Sequence, residues 1–193
     1  MLRRLYDYVM TLAARPRAAW ALALVAFAES SFFPIPPDVM LVPMVLAKRT
    51  KAWAYATICT IASILGGAAG YLIGWIFFAT LGQGILNFYG LTTQFDSFAG
   101  RYNDYGAWIV LFAGLTPFPF EVITIASGAT GLNFWVFMLA SLIARSGRFF
   151  MVAGLLYLFG PPIRDFIEKR LVLVTTVFLV LLFGGFLAVK FML

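Results

Sequence analysis

The chain has 193 residues, of which 63% are apolar and 11% charged, with a mean hydropathy of +0.95 and a formal net charge of +6. Soluble domains carry about 25% charged residues, so this composition indicates an integral membrane protein without a separate soluble domain. Cys59 is the single cysteine and there is no histidine, which excludes an intramolecular disulfide, haem ligation by histidine and ordinary zinc sites. Because the basic residues flank apolar stretches, we expect anionic lipid rather than nucleic acid as their partner.

The first 47 residues predict a surface helix and then a hairpin that does not cross the membrane. Residues 1–17 place Leu2, Leu5, Val9 and Leu12 on one face, which predicts an interfacial helix. Two apolar stretches follow in residues 18–47, on either side of a break that contains three prolines: Pro34, Pro36 and Pro37. A transmembrane helix needs about 20 residues, and residues 39–47 are too few. We therefore predict a re-entrant hairpin over residues 18–47.

The middle of the chain predicts one membrane span and one interfacial segment. Residues 53–80 are long enough to cross the bilayer, and Gly66, Gly70 and Gly74 form a GxxxGxxxG pattern that favours close helix packing. The same glycine face allows a homo-oligomer. Residues 82–105 are more polar and carry an aromatic stripe, which is typical of a helix at the membrane surface.

The second half repeats the plan of the first. Residues 106–131 predict another re-entrant hairpin, broken at Pro117 and Pro119. Residues 134–159 predict a span with two arginines near its middle, and residues 171–192 predict a last span. The expected fold is a single all-α membrane domain, in which a re-entrant hairpin followed by a transmembrane helix occurs twice.

The distribution of positive charge predicts the orientation. If each hairpin returns to the side that it entered, ten of the 14 basic residues share one side, two lie opposite, and Arg145 and Arg148 lie within the membrane. The positive-inside rule then puts the N-terminus in the cytoplasm and the C-terminus in the periplasm. The first hairpin enters from the cytoplasm and the second from outside. Corresponding broken segments in two inverted halves predict a transport site near the middle of the bilayer.

Several motifs between residues 25 and 160 resemble the DedA superfamily, also called the VTT or SNARE-associated family, and in particular its bacterial YqaA-like branch. The motifs are Phe27-Ala-Glu29-Ser30, Phe33-Pro-Ile-Pro-Pro-Asp38, Gly66-Gly67-Ala-Ala-Gly70-Tyr71-Leu-Ile-Gly74, Gly114-Leu-Thr-Pro117-Phe-Pro119-Phe, Ile125-Ala-Ser-Gly128 and Arg145-Ser-Gly-Arg148. The resemblance implies an inner-membrane protein with two re-entrant hairpins. It also implies lipid movement between leaflets, since relatives flip undecaprenyl phosphate or scramble phospholipids. Many relatives carry arginines in the second hairpin near its proline, whereas the arginines of this chain lie in the following span.

Five ionisable residues are expected at membrane depth: Glu29, Asp38, Glu121, Arg145 and Arg148. Each costs about 2.5–3.5 kcal/mol or more at the bilayer centre unless it is paired or hydrated. With all five ionised the site has one surplus negative charge, which favours binding a proton. We therefore predict a proton-coupled lipid flippase or scramblase, in which the two arginines bind an anionic phosphate headgroup and the three acids couple to protons.

Other interpretations of these residues stay open at this stage. Glu29 could instead bond to backbone amides at the break, Asp38 could cap a helix, and the arginines could form purely structural ion pairs with either acid. The same residues would also suit a proton-coupled transporter of a small ion or solute, or the chain could be a scaffold for membrane integrity without transport. No nucleophile motif or cluster of metal ligands is apparent, so we predict no enzyme activity, no cofactor and no metal site.

Overall fold

The computed structural model describes residues 18–116 and 118–169, and every regular element in these ranges is a helix. The all-α prediction is therefore confirmed for the described part of the chain. The predicted interfacial helix over residues 1–17, the predicted last span over residues 171–192 and Pro117 lie outside the described residues.

The first hairpin consists of helix α1 (Ala18–Ser31) and helix α2 (Asp38–Ala47), separated by residues 32–37. Proline has no backbone N–H and disfavours helical conformation in the residue before it, so the three prolines of this segment end α1 before α2 begins. The segment also exposes large apolar side chains, namely Phe32, Phe33 and Ile35. We call residues 32–37 the first break.

A short 3₁₀ turn (Arg49–Lys51) leads into helix α3 (Ala52–Phe77). A π-helical turn (Phe78–Gly82) then joins α3 to helix α4 (Gln83–Tyr89), so that one helical run extends from Arg49 to Tyr89. Helix α4 ends where Gly90 adopts the left-handed conformation, with φ of 65°, which glycine reaches without steric cost.

The second hairpin consists of helix α5 (Thr92–Leu115) and helix α6 (Phe120–Ala129), separated by residues 116–119, which we call the second break. Helix α7 (Phe134–Lys169) follows and is bent at Phe159, where φ is −113° and ψ is 18°. By length and composition, the helical runs Arg49–Tyr89 and Phe134–Gly160 could each cross a bilayer.

The predicted boundary between an interfacial segment ending at residue 105 and a hairpin starting at residue 106 does not coincide with a helix end. Helix α5 passes through this point without interruption, and the chain turns instead at Gly90. Gly106 does not interrupt the helix. Its lack of a side chain makes room for Leu132, with which a side-chain carbon at position 106 would collide. The polar segment is therefore divided between α4 and the first half of α5.

Helix α3 packs against both hairpins through its glycine face. Gly66 lies against the main chain of Phe27 in α1, and Gly74 lies against the main chain of Ile125 in α6. Gly70 lies between them, next to Ser30 and Thr124. The face that we expected to allow a homo-oligomer is thus occupied within the chain, and a contact between copies would need another surface.

Two apolar clusters form the interior. The first joins α1, α2, the first half of α3 and residues 149–156 of α7, and the second joins α5, α6 and residues 137–140 of α7. Helix α7 thus contributes to both clusters. Arg145 and Arg148 lie in the stretch of α7 between the two contributions.

Candidate functional site at the two helix breaks

Arg145 of α7 and Glu29 of α1 form an ion pair inside the bundle. The Arg145 side chain is completely buried and that of Glu29 is 5% exposed. Both terminal nitrogens of the guanidinium donate to the carboxylate: Nη1 to Oε1 at 3.2 Å and Nη2 to Oε2. This two-point geometry is the strongest that arginine makes with a carboxylate, and it offsets part of the cost of burying two charges.

Two serines complete a closed circuit of hydrogen bonds around this pair. The Nε of Arg145 donates to Ser63 Oγ at 2.6 Å, and Ser30 Oγ donates to Glu29 Oε2 at 2.8 Å. The two hydroxyls lie 2.6 Å apart. Because a serine has one hydroxyl proton and that of Ser30 goes to Glu29, Ser63 donates to Ser30. The circuit connects α1, α3 and α7.

Two aromatic rings enclose the guanidinium of Arg145 on its remaining sides. Its central carbon lies 4.7 Å from the ring centroids of both Phe120 and Phe149, a distance at which cation–π attraction is appreciable. Phe120 is the first residue of α6, immediately after the second break. Arg145 therefore contacts residues beside both breaks, the first through Glu29 and the second through Phe120.

Arg148, one turn further along α7, also contacts both breaks. Its Nη2 forms an ion pair with Oδ2 of Asp38, the first residue of α2, and its Nη1 donates to the carbonyl oxygen of Thr116 at 2.9 Å. Unlike Arg145, this group is open to its surroundings, since the side chains of Arg148 and Asp38 are 12% and 16% exposed. The second carboxylate oxygen of Asp38 has no hydrogen-bond partner among the described residues.

Glu121 is the third acid of the site and has no arginine partner in the described part of the chain. It lies in the first turn of α6, 7% exposed, and its Oε2 is buried without a hydrogen-bond partner there. Its electrostatic neighbours are Glu29 on α1 and Arg145 on α7. With both arginines paired to other acids, the surplus negative charge expected from the sequence falls on Glu121.

The interpretations left open for Glu29 and Asp38 now have a structural answer. Glu29 bonds to Arg145 and Ser30 through its side chain rather than to backbone amides at the break. Asp38 does not cap helix α2: the capping position is Pro37, which makes no side-chain bond, and Asp38 contacts Arg148 instead. Pro34 and Pro36 lie in the first break, and Pro119 is the last residue of the second break, immediately before α6.

Ser63 and Thr124 belong to the site but were not predicted. Ser63 lies three residues before Gly66, so it belongs to the same face of α3 as the glycines. The glycine spacing in the sequence was therefore a signal that could have identified Ser63. Thr124 Oγ1 donates to the carbonyl oxygen of Ser30 at 3.0 Å and so joins α6 of the second hairpin directly to α1 of the first. The sequence has no separate signal for that contact. No group of three histidine, cysteine or acidic side chains suited to a metal occurs among the described residues.

Comparison with known proteins gives three matches and one negative result. The family model described as the VTT domain matches residues 33–158. An uncharacterized protein of Haemophilus influenzae is 36% identical over 152 residues, which is 78% of each chain. A protein of Histophilus somni, also described as uncharacterized, is 34% identical over 151 residues, again 78% of each chain. No solved structure matches significantly.

Proposed function

Because the chain belongs to the VTT-domain (DedA) family of membrane proteins, we propose that it moves a phosphate-bearing lipid between the two leaflets of the bacterial inner membrane. The lipid is undecaprenyl phosphate or a phospholipid, and the transport site lies at the two breaks, beside Arg145 and Arg148. The supporting observation is that Arg145 and Arg148, one turn apart on α7, each contact residues in or beside both breaks.

The two arginines have different roles in this proposal. Arg145 is sealed between two phenylalanine rings and a carboxylate, so it holds the two hairpins together and does not meet the lipid. This revises the expectation from the sequence, in which both arginines bound the headgroup. Arg148 is the headgroup ligand because it is partly exposed, and because exposed Phe32, Phe33 and Ile35 of the first break offer apolar surface for acyl chains. A guanidinium can bind phosphate through two parallel hydrogen bonds.

Proton coupling follows from competition for Arg148. While Asp38 is ionised it occupies this arginine, and an anionic headgroup must displace it. Proton binding to Asp38 removes its charge and leaves the guanidinium for the phosphate. Glu121 supports the exchange, since its buried Oε2 has no hydrogen-bond partner in the described residues and a proton there lowers the negative potential that an incoming anion meets. Glu29 stays paired with Arg145.

The proposed orientation keeps the N-terminus in the cytoplasm and the C-terminus in the periplasm. The first hairpin then re-enters from the cytoplasm and the second from the periplasm, and the breaks meet within the bilayer. Ten of 14 basic residues support this arrangement through the positive-inside rule. Residues 39–47 and 120–129, each too short to span, support the re-entrant assignment.

Reconstitution into liposomes tests the proposal. Purified protein is incorporated with fluorescent undecaprenyl phosphate or fluorescent phosphatidylethanolamine, and headgroup movement is followed by a quencher that cannot cross the membrane. We expect protein-dependent movement of at least one lipid, at a rate that changes when a pH gradient is imposed. Flux of protons or solutes without lipid movement would favour a small-solute transporter, and no flux of either kind would favour a scaffold. Both results would contradict the proposal.

A further inference from the structure

The bend in helix α7 lies at a double proline that removes two backbone hydrogen bonds. In an uninterrupted α-helix the amides of residues 161 and 162 would donate to the carbonyl oxygens of Tyr157 and Leu158. Pro161 and Pro162 have no N–H to donate. The backbone departs from helical geometry at Phe159, between these carbonyls and the prolines.

Arg49 supplies the missing donors from another part of the chain. Its Nη2 donates to the carbonyl oxygen of Tyr157 and lies 3.3 Å from that of Leu158. Its guanidinium also lies 5.8 Å from the centre of the Tyr157 ring. Gly160 makes room for the contact, since a side-chain carbon there would lie 3.0 Å from Arg49 Nε. A positive charge at the C-terminal end of a helix also interacts favourably with the helix dipole.

An aromatic contact one turn after Arg49 also joins this part of the chain to α7. Trp53, in the first turn of α3, packs against Phe150 at 6.0 Å and against Tyr157 at 5.9 Å between ring centroids. Its ring also meets Gly154. The turn after the first hairpin is therefore attached to the half of α7 that follows Arg148.

We infer that Arg49 is a positioning residue: it replaces the hydrogen bonds lost at Pro161 and Pro162 and thereby fixes the helix that carries Arg145 and Arg148 against the first hairpin. Tyr157 is nine residues from Arg148, or about 14 Å along the helix. Because the helix between Tyr157 and Arg148 is rigid, a shift of α7 at the bend also moves Arg148 relative to Asp38. The effect on transport rests on the proposed function, whereas the effect on the fold does not.

A double-mutant cycle tests the inference without any transport assay. Arg49→Gln is made in the natural chain and in a Pro161→Ala/Pro162→Ala background, where backbone amides can again reach the two carbonyls. In the natural chain the variant should lower the thermal midpoint in detergent by about 5 °C. In the alanine background the fall should be less than half as large. Equal falls in both backgrounds would overturn the inference.

Two matched variants separate the contact from general effects of charge. Lys51→Gln removes a positive charge from the same 3₁₀ turn and should leave the midpoint unchanged within error. Arg49→Lys keeps the charge but loses the planar fork, so it should recover only part of the loss. A fall for Lys51→Gln as large as that for Arg49→Gln would also overturn the inference.

Transport provides the second readout. Arg49→Gln should slow headgroup movement several-fold, and the alanine background should restore it. If Arg49 acted only through its charge, Pro161→Ala and Pro162→Ala would not restore the transport rate, because they bring back backbone donors and add no charge. If no variant or natural protein moves lipid, the proposed function fails, while the stability cycle still decides the role of Arg49.

Discussion

The carboxylate of Glu29 and the guanidinium of Arg145 form a buried two-point ion pair that joins the end of helix α1 to the middle of helix α7. The two residues are 116 positions apart in the chain. The pair holds the first hairpin against α7, the helix that follows the second hairpin. Phe120 at the start of α6 packs over the guanidinium of Arg145. It is therefore one of the contacts that hold the two halves of the protein together.

Removing one partner of this pair should be more damaging than removing both. Glu29→Gln or Arg145→Met alone leaves one buried charge without its partner, at a cost of about 3–5 kcal/mol. The double variant leaves no unpaired charge and should lose clearly less than the sum of the single losses. Unfolding of the purified proteins in mixed detergent micelles measures all three. Additive losses would show that the two side chains do not stabilise each other.

Glu121→Gln should keep the fold and alter the response to pH. The substitution breaks no ion pair in the described structure and replaces a carboxylate, whose Oε2 has no hydrogen-bond partner there, with a neutral group of the same shape, so we expect a stability change within about 1 kcal/mol. Lipid movement should become less dependent on pH, because the variant imitates the proton-bound acid at all pH values. A pH profile in proteoliposomes checks this. An unchanged profile would remove Glu121 from the coupling mechanism.

Gly66→Ala should destabilise the protein, whereas Gly100→Ala should not. A methyl group at Gly66 would collide with the main-chain carbonyl of Phe27, which cannot move without displacing α1, and such overpacking costs about 1–3 kcal/mol. Gly100 lies inside α5 with open space around it, and alanine favours the helix by up to about 1 kcal/mol. Thermal midpoints in detergent compare the two. Equal midpoints would show that α1 does not pack closely against α3 in the membrane.

The orientation of the chain can be read by cysteine labelling. Replacing Cys59 with alanine gives a cysteine-free background. We expect a cysteine at the exposed position Lys51 to react only after the inner membrane is permeabilised, and one at the exposed position Gln94 to react in intact spheroplasts. Lys51 lies just before helix α3, and Gln94 lies after helices α3 and α4. Labelling of Lys51→Cys from outside would reverse the proposed topology, and labelling of both positions from one side would exclude a crossing between them.

The sequence was sufficient to predict the helical fold, the two breaks and the five charged residues beside them. These predictions depend on local chemistry, since proline ends helices and a charge in an apolar stretch is conspicuous. The sequence did not predict which acid pairs with which arginine. Arg145 and Arg148 are one turn apart, and only the packing of α1 and α2 on α7 places Glu29 next to one and Asp38 next to the other.

Arg49 shows a different limit of sequence reasoning. The sequence predicts a span that ends at residue 159, but it does not identify the donor that replaces the amides missing at Pro161 and Pro162, although buried carbonyls without amide partners imply a donor from elsewhere. That donor lies more than 100 residues away, and no local pattern identifies it. The course of α5 through residue 106 was missed for a related reason, because whether a glycine breaks a helix or makes room for a neighbour depends on tertiary contacts.

The most direct test of the central claim is the rate of lipid headgroup movement in proteoliposomes that contain Arg148→Gln, compared with the natural protein and with Arg148→Lys. If Arg148 is the headgroup ligand, Arg148→Gln should slow the movement by tenfold or more with little change in the amount of folded protein, and Arg148→Lys should retain an intermediate rate. Natural rates in Arg148→Gln would contradict the account, because a lipid phosphate would then cross the membrane without the arginine that the account makes its ligand.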